Sequence, residues 1–128
     1  MPSVREVMSK DLVTVDRLAT VEEASALMWG RHVGSALVML GDDVEGIFTE
    51  RDIMKAVSKN ADRGRTMTVR EFMTPSPQMV DADATVGEAL DVMLTGSFRH
   101  LPVTEGGRLV GIVSMTDLVQ ATSKRSSD

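Results

Sequence analysis

The sequence has no cysteine and no tyrosine, a single tryptophan and three phenylalanines. Without cysteine there is no disulfide, no thiolate nucleophile and no Cys-based zinc site. A cytoplasmic compartment is the expectation for such a chain. So few aromatic residues provide no stacking platform for single-stranded nucleic acid. Positive charge is also in deficit. Fourteen Lys and Arg stand against 19 Asp and Glu, a net charge of −5, and this argues against a general nucleic-acid binder. No apolar run approaches the roughly 20 residues that span a bilayer, so no membrane partner is expected. The opening MPSVREVMSKD lacks the charged-then-apolar order of a signal peptide. Two lone histidines have no metal-ligand spacing. With no Ser–His–Asp order and no metal cluster, the expectation is no metal site, no catalytic residues and no enzyme.

What remains is a 128-residue chain, 42% hydrophobic and 26% charged, a composition that reads as soluble and globular. Its ten methionines are expected mostly in the core, where they fill irregular gaps. The organising feature is a repeat. Shifted by 65 residues, the chain aligns with itself without a gap, and 20 of 63 overlapping positions are identical. VREVM (4–8) lies on VREFM (69–73), ATVEEA (19–24) on ATVGEA (84–89), and Gly46-Ile47 on Gly111-Ile112. The divisions that follow are repeat 1 at 1–59, a linker at 60–66, repeat 2 at 67–122 and a flexible tail at 123–128.

Periodicity gives each repeat the same order of elements. A helical turn (4–8) leads to a short strand (12–15), an amphipathic helix (20–31), a buried strand (35–40), a turn at GDD, a second strand (44–49) and a helix from Glu50. The second copy repeats this at 69–73, 78–80, 85–95, 100–104, 108–113 and from Met115. The fold class is therefore α+β, two β-α-β-β-α repeats. A unit of about 50 residues is marginal alone, so the two are expected to pack sheet to sheet about a pseudo-two-fold, with a symmetric pair of clefts.

GIFTERDI (46–53) and GIVSMTDL (111–118) are the candidate functional motifs. Thr49-x-x-Asp52 and Ser114-x-x-Asp117 fit a capping box, and so do Ser3/Glu6, Thr20/Glu23, Thr68/Glu71 and Thr85/Glu88. Helix capping alone thus accounts for the pattern. Three features distinguish the two Asp boxes. Gly46 and Gly111 sit inside strands, where glycine marks close approach of a ligand or of another backbone. The acid is Asp rather than Glu. The helix follows the strand directly, so its N-terminal amides and dipole favour an anion. Together these residues leave a nucleotide ligand and plain capping about equally supported.

The duplicated G-h-h-[ST]-x-x-D-h motif (h, an apolar residue), FRHLPV (98–103), and the entries SKDLVTVD and TPSPQMVDAD resemble a tandem pair of CBS domains, a Bateman module, over residues 1 to about 122. The resemblance implies regulatory binding of an adenosine nucleotide (AMP, ADP or ATP) or S-adenosylmethionine, with no cofactor required. It assigns Asp52 and Asp117 to ribose hydroxyls, Thr49 and Ser114 to phosphate, and Arg99 and His100 to completing a phosphate site. It places Val13, Gln78, Ile47 and Ile112 around the adenine. Repeat 1 has Gly34 and Ser35 where repeat 2 has Arg99 and His100, and Arg51 aligns with Thr116. Two sites of unequal affinity are therefore expected, the more basic one favouring the more phosphorylated ligand.

The resulting expectation is a stand-alone nucleotide-sensing module acting on an unidentified protein partner. The competing expectation is a dimerisation scaffold with vestigial sites. A homodimer is expected from the resemblance, with Leu27, Met28, Trp29, Met93, Leu94 and Phe98 as its apolar surface. Pro102 stands where repeat 1 has Leu37, which suits an edge or cleft-lining strand.

Overall fold

A computed structural model describes the backbone of residues 2–126 and side chains through residue 123. The order is α1 (Val4–Val7), β1 (Thr14–Asp16), α2 (Val21–Arg31), β2 (Ser35–Leu40), β3 (Asp43–Thr49), α3 (Glu50–Asn60), β4 (Thr74–Pro75), β5 (Val80–Asp81), α4 (Val86–Gly96), β6 (His100–Glu105), β7 (Arg108–Ser114) and α5 (Met115–Ser126). The class is α+β, as the repeat pattern indicates. Of the tail at 123–128, residues 123–126 continue α5 and the last two residues lie outside the described residues.

The chain divides into two compact units, one of Val13–Pro77 and one of Met1–Leu12 with Gln78–Asp128. They are named here for their motif carboxylates, Asp52 and Asp117. These units are not the two repeats. Each contains the lead-in segment of the other repeat.

The Asp52 unit has a sheet in the order β1-β2-β3-β4. β1 runs parallel to β2, while β2–β3 and β3–β4 are antiparallel. Val13, Val15, Val21, Ala24, Met28, Ala36, Val38, Phe48, Ala56 and Val69 form its core. The lead-in is held by backbone bonds: Val21 N–H donates to Met67 O at 2.8 Å and Val69 N–H to Ala19 O at 2.8 Å. Residues 60–66, expected as a linker, instead form a 3-10 helix at Ala61–Thr66. Gly64 is buried there against the Ala56 carbonyl of α3, where a side chain would collide.

The Asp117 unit repeats the plan with a sheet β5-β6-β7. Val86 N–H donates to Pro2 O at 3.0 Å, Val4 N–H to Ala84 O at 2.8 Å, and Ser9 bridges Ile112. Its core gathers Val4, Val80, Ala82, Val86, Ala89, Met93, Leu101, Val103, Val113 and Leu118.

Two side-chain expectations change. Pro102 is buried in β6, which is the central strand rather than an edge. It is tolerated because it falls before β5 has begun. In the Asp52 unit the equivalent Leu37 N–H donates to Val13 O at 2.8 Å, and proline has no N–H to do the same. The β5–β6 pairing accordingly begins at Val80. Met28 and Met93 are core residues, 2% and 0% exposed, because they continue the helix stripes set by Val21/Ala24 and Val86/Ala89. They cannot line an outer surface.

Candidate functional site

Each motif lies where a sheet strand passes directly into a helix. β3 ends at Thr49 and α3 begins at Glu50; β7 ends at Ser114 and α5 begins at Met115. Extended backbone at Thr49 (φ −124°, ψ 172°) satisfies the geometry of an N-cap.

Both boxes form. Thr49 N–H donates to Asp52 Oδ2 at 2.8 Å, and the Thr49 hydroxyl donates to the same oxygen at 3.3 Å. Ser114 N–H donates to Asp117 Oδ2 at 3.1 Å, and Asp117 N–H donates back to Ser114 Oγ at 3.1 Å. What sets this pair apart from the other boxes is burial. The hydrogen bonds of Ser3/Glu6, Thr20/Glu23, Thr68/Glu71 and Thr85/Glu88 are all exposed, whereas those of the two Asp boxes are part-buried. The short aspartate keeps its carboxylate against the junction, where a glutamate would extend into solvent.

Among the described residues only Oδ2 is engaged in either carboxylate, and Asp52 Oδ1 and Asp117 Oδ1 accept no hydrogen bond. Burial pushes the Asp52 carboxyl above its ordinary value of 3.8, and the two Thr49 hydrogen bonds, Lys55 and Arg51 only partly offset it. At the helix start, Glu50 N–H donates to Gly34 O at 3.2 Å and Met115 N–H to Arg99 O at 2.8 Å. The next amide, Arg51 in one unit and Thr116 in the other, lies in a first helical turn, which has no intrahelical acceptor, and has no other partner among the described residues. Each junction therefore presents one open carboxylate oxygen and one open helix amide, an acceptor and a donor beside the positive end of a dipole.

In the Asp52 unit, Ser35 pairs with Thr49 and Gly34 is tied to Glu50. In the Asp117 unit, His100 pairs with Ser114 and Arg99 is tied to Met115. Gly34, Thr49, Arg51 and Asp52 thus sit at one sheet end, and Arg99, His100, Ser114 and Asp117 at its equivalent. Arg51 and Arg99 are exposed and His100 is half-buried. Val13 is a core residue with its carbonyl bonded to Leu37, whereas Gln78 is exposed and its carbonyl accepts no bond because Pro102 has none to give. Ile112 exchanges both backbone bonds with Ser9, at 2.8 and 2.9 Å, and Ile47 pairs with Thr74. At these two isoleucines only side chains remain to meet a ligand.

The strand glycines have a different explanation from a ligand. A Cβ built on Gly46 would strike the Met73 thioether and lie 2.9 Å from the Thr74 carbonyl oxygen. On Gly111 it would lie 2.6 Å from Met8 Sδ and 2.9 Å from the Ser9 carbonyl oxygen. The approaching group is the other repeat's lead-in. Sequence reasoning had raised a second backbone as one cause of strand glycine but had not found its source. VREVM and VREFM each end in the methionine concerned.

Among the described residues no group of His, Asp and Glu could hold a metal ion, and no helix is long and apolar enough to cross a membrane.

Known proteins share this arrangement. The family model for the CBS domain matches residues 4–59 and again 69–124. The CBS domain-containing protein YhcV of Bacillus subtilis is 30% identical over 118 residues, 92% of this chain and 84% of that protein. A crystal structure of a CBS-domain containing protein from Agrobacterium tumefaciens matches with a TM-score of 0.88 at 33% identity, covering 94% of this chain and 99% of that one. CBSX2 of Arabidopsis thaliana, solved in complex with AMP, matches at TM-score 0.80 and 24% identity, over 98% and 99% of the two chains. At that identity the likeness concerns the fold alone.

Proposed function

The chain belongs to the CBS-domain family and carries two copies of its unit, and from that premise we propose that it is a regulatory module binding adenosine nucleotides at its two motif junctions. The observation that carries this reading is the burial of the two aspartate boxes. Capping needs a carboxylate; it does not need a half-buried one with an open oxygen. A vicinal diol can donate to that oxygen, and a phosphate can accept from the open amide of Arg51 or Thr116. AMP occupies this fold in CBSX2, which makes the ligand class reasonable for this chain.

The two junctions are unequal in this reading. Arg99 and His100 stand beside Ser114 and Asp117, whereas Gly34 and Ser35 hold those places beside Thr49 and Asp52. An Arg hydrogen-bonded to phosphate contributes roughly 1.5–3 kcal/mol, so the Asp117 junction favours ATP over AMP. Calorimetry with AMP and ATP on the wild type and on Asp52→Ala and Asp117→Ala tests this. Unchanged binding in the double variant would sink it.

A scaffold with vestigial sites is the second reading. It is favoured by the strand glycines, whose close neighbours are Met73 and Met8 rather than a ligand. A thermal-shift panel of AMP, ADP, ATP and S-adenosylmethionine separates the two, because a ligand selective for the native state raises the melting temperature. A homodimer in the cytoplasm, regulatory rather than catalytic, completes the proposal. Leu27, Trp29 and Leu94 remain exposed at 48%, 82% and 68% and supply apolar surface for the dimer. Sedimentation as a strict monomer would remove that part.

A further inference from the structure

The chain is acidic, yet residues 51–70 hold six of its 14 Lys and Arg (Arg51, Lys55, Lys59, Arg63, Arg65 and Arg70) against two carboxylates, Asp52 and Asp62. Arg51, Lys55 and Lys59 recur every fourth residue on α3, so they form one ridge along its exposed side. From Arg51 to Lys59 the ridge is about 12 Å long. It does not end with the helix. Gly64, buried against Ala56, docks the following 3-10 helix on α3 and keeps the exposed Arg63 and Arg65 beside it.

Among the described residues none of these six basic side chains forms a close ion pair, whereas Arg5 and Arg17 do; Arg51 and Lys55 act on Asp52 only through their charge. Glu50, Asp52, Asp62 and Glu71 are the nearby acids along the segment, and Asp52 and Glu71 are committed to Thr49 and Thr68. The second copy is an internal control. At the positions equivalent to Arg51 and Lys55, α5 has Thr116 and Gln120, and only Lys59 has a basic equivalent in the sequence, Lys124. The same helix forms there, so the ridge is not a requirement of the fold. Like charges four residues apart along one helix face cost stability.

We propose that this ridge is a docking surface for an acidic segment of a partner protein. Acids at every fourth helical position repeat at about 6 Å, and alternate positions of an extended strand repeat at just under 7 Å. Either matches the ridge over its short length. A nucleic acid fits less well. It carries one charge per 1.7 Å or so of duplex along its whole length, whereas this chain has a net charge of −5, and the ridge has no aromatic residue to stack a base. The ridge shares Arg51 with the Asp52 junction; its other basic residues lie further along the chain, and the proposal does not depend on nucleotide binding.

The test uses the full chain and two fluorescent probes, a 12-residue peptide of alternating Glu and Ser and a 12-nucleotide oligothymidylate. Anisotropy is read at 50 and 200 mM NaCl. One triple variant removes the ridge (Lys55→Gln, Lys59→Gln, Arg63→Gln). A control triple removes equal charge elsewhere (Lys10→Gln, Arg31→Gln, Arg108→Gln). Circular dichroism establishes that both fold. The expected result is salt-sensitive peptide binding that falls at least tenfold in the ridge triple and less than twofold in the control. Equal losses in both triples, no peptide binding at 50 mM NaCl, or tighter binding of the oligonucleotide than of the peptide would each overturn the proposal.

Discussion

The Asp52 and Asp117 units are built on one plan with different side chains, and their differences separate what the fold requires from what it merely allows. Both have a capped strand–helix junction, a strand glycine and a lead-in segment filling the space above it. These shared features are structural requirements. Only the Asp52 unit has the α3 ridge. Only the Asp117 unit has Arg99 and His100 beside the motif, and only there does Arg5 of the lead-in form two 3.0 Å bonds to Glu105 and a third to Asp83. For the equivalent Arg70, the positions corresponding to Asp83 and Glu105 are held by Leu18 and Leu40, which are 62% and 51% exposed.

The largest expected effect tests the shared features. Gly46→Val and Gly111→Val each force a side chain against a lead-in carbonyl oxygen that cannot move aside. Each is expected to cost about 1–3 kcal/mol in urea unfolding, the range for overpacking, with or without nucleotide. If either variant keeps full stability but loses nucleotide binding, the glycine serves the ligand and the structural explanation is wrong.

A smaller effect, of opposite sign, is expected at a place where the copies do not correspond. Ala61 ends α3 with φ 49° and ψ −131°, a region natural to glycine. Ala61→Gly is expected to stabilise the Asp52 unit by about 1 kcal/mol, after allowing for glycine's unfolded-state entropy. An unchanged or lower urea midpoint would show that the turn carries no strain.

The next variant makes the units more alike. Pro102→Leu restores the amide that Leu37 has and permits a bond to Gln78 O like the 2.8 Å bond to Val13 O. Gains of about 0.5–1.5 kcal/mol are usual for one such bond. The new amide should be protected from hydrogen exchange; rapid exchange there would mean that the pairing stops at Val80 for another reason.

The smallest expected effects distinguish the units by pH. The Asp52 carboxyl is raised by burial, so its contribution to stability is present in acid and is lost as pH rises from 3.8 through its folded value. Glu105 is lowered by its hydrogen bonds to Arg5. Its contribution is present above the ordinary 4.5 and is lost as pH falls through the folded value. Acidification should therefore relieve one unit before it loosens the other. Carboxyl carbon titration by NMR reads both. Asp52→Asn should abolish the first effect and Arg5→Gln the second, and identical titrations of the two carboxyls would contradict the assignment.

Much of this was legible in the sequence, because duplication supplies its own control. The helix starts at Thr20, Thr49 and Thr85 follow from local chemistry, a hydroxyl cap before an apolar stripe. The strands at 35–40 and 44–49 follow from short apolar runs around a turn. The exchange of lead-ins was not legible. Val69 packing with Val21, and Val4 with Val86, depends on which repeat a segment reaches, and two nearly identical segments give no local signal of that choice. Pro102 was misplaced for a related reason. A proline is excluded from a central strand only where its missing amide would face a neighbour, and β5 begins only after that point. At the motif, residue identity gave the capping boxes, but burial distinguished Asp52 and Asp117 from the four Glu boxes, and burial is a property of the packed unit.

The most direct test is calorimetric titration of ATP and AMP into wild type, Asp52→Ala and Asp117→Ala, each first confirmed as folded by its thermal transition. Two adenosine sites of unequal charge require that each single variant lose one site and keep the other. Asp52→Ala should retain the site beside Arg99 and His100, with ATP bound more tightly than AMP, and Asp117→Ala should lose that preference. Full binding stoichiometry in both variants, or no nucleotide binding by the wild type, would contradict the account.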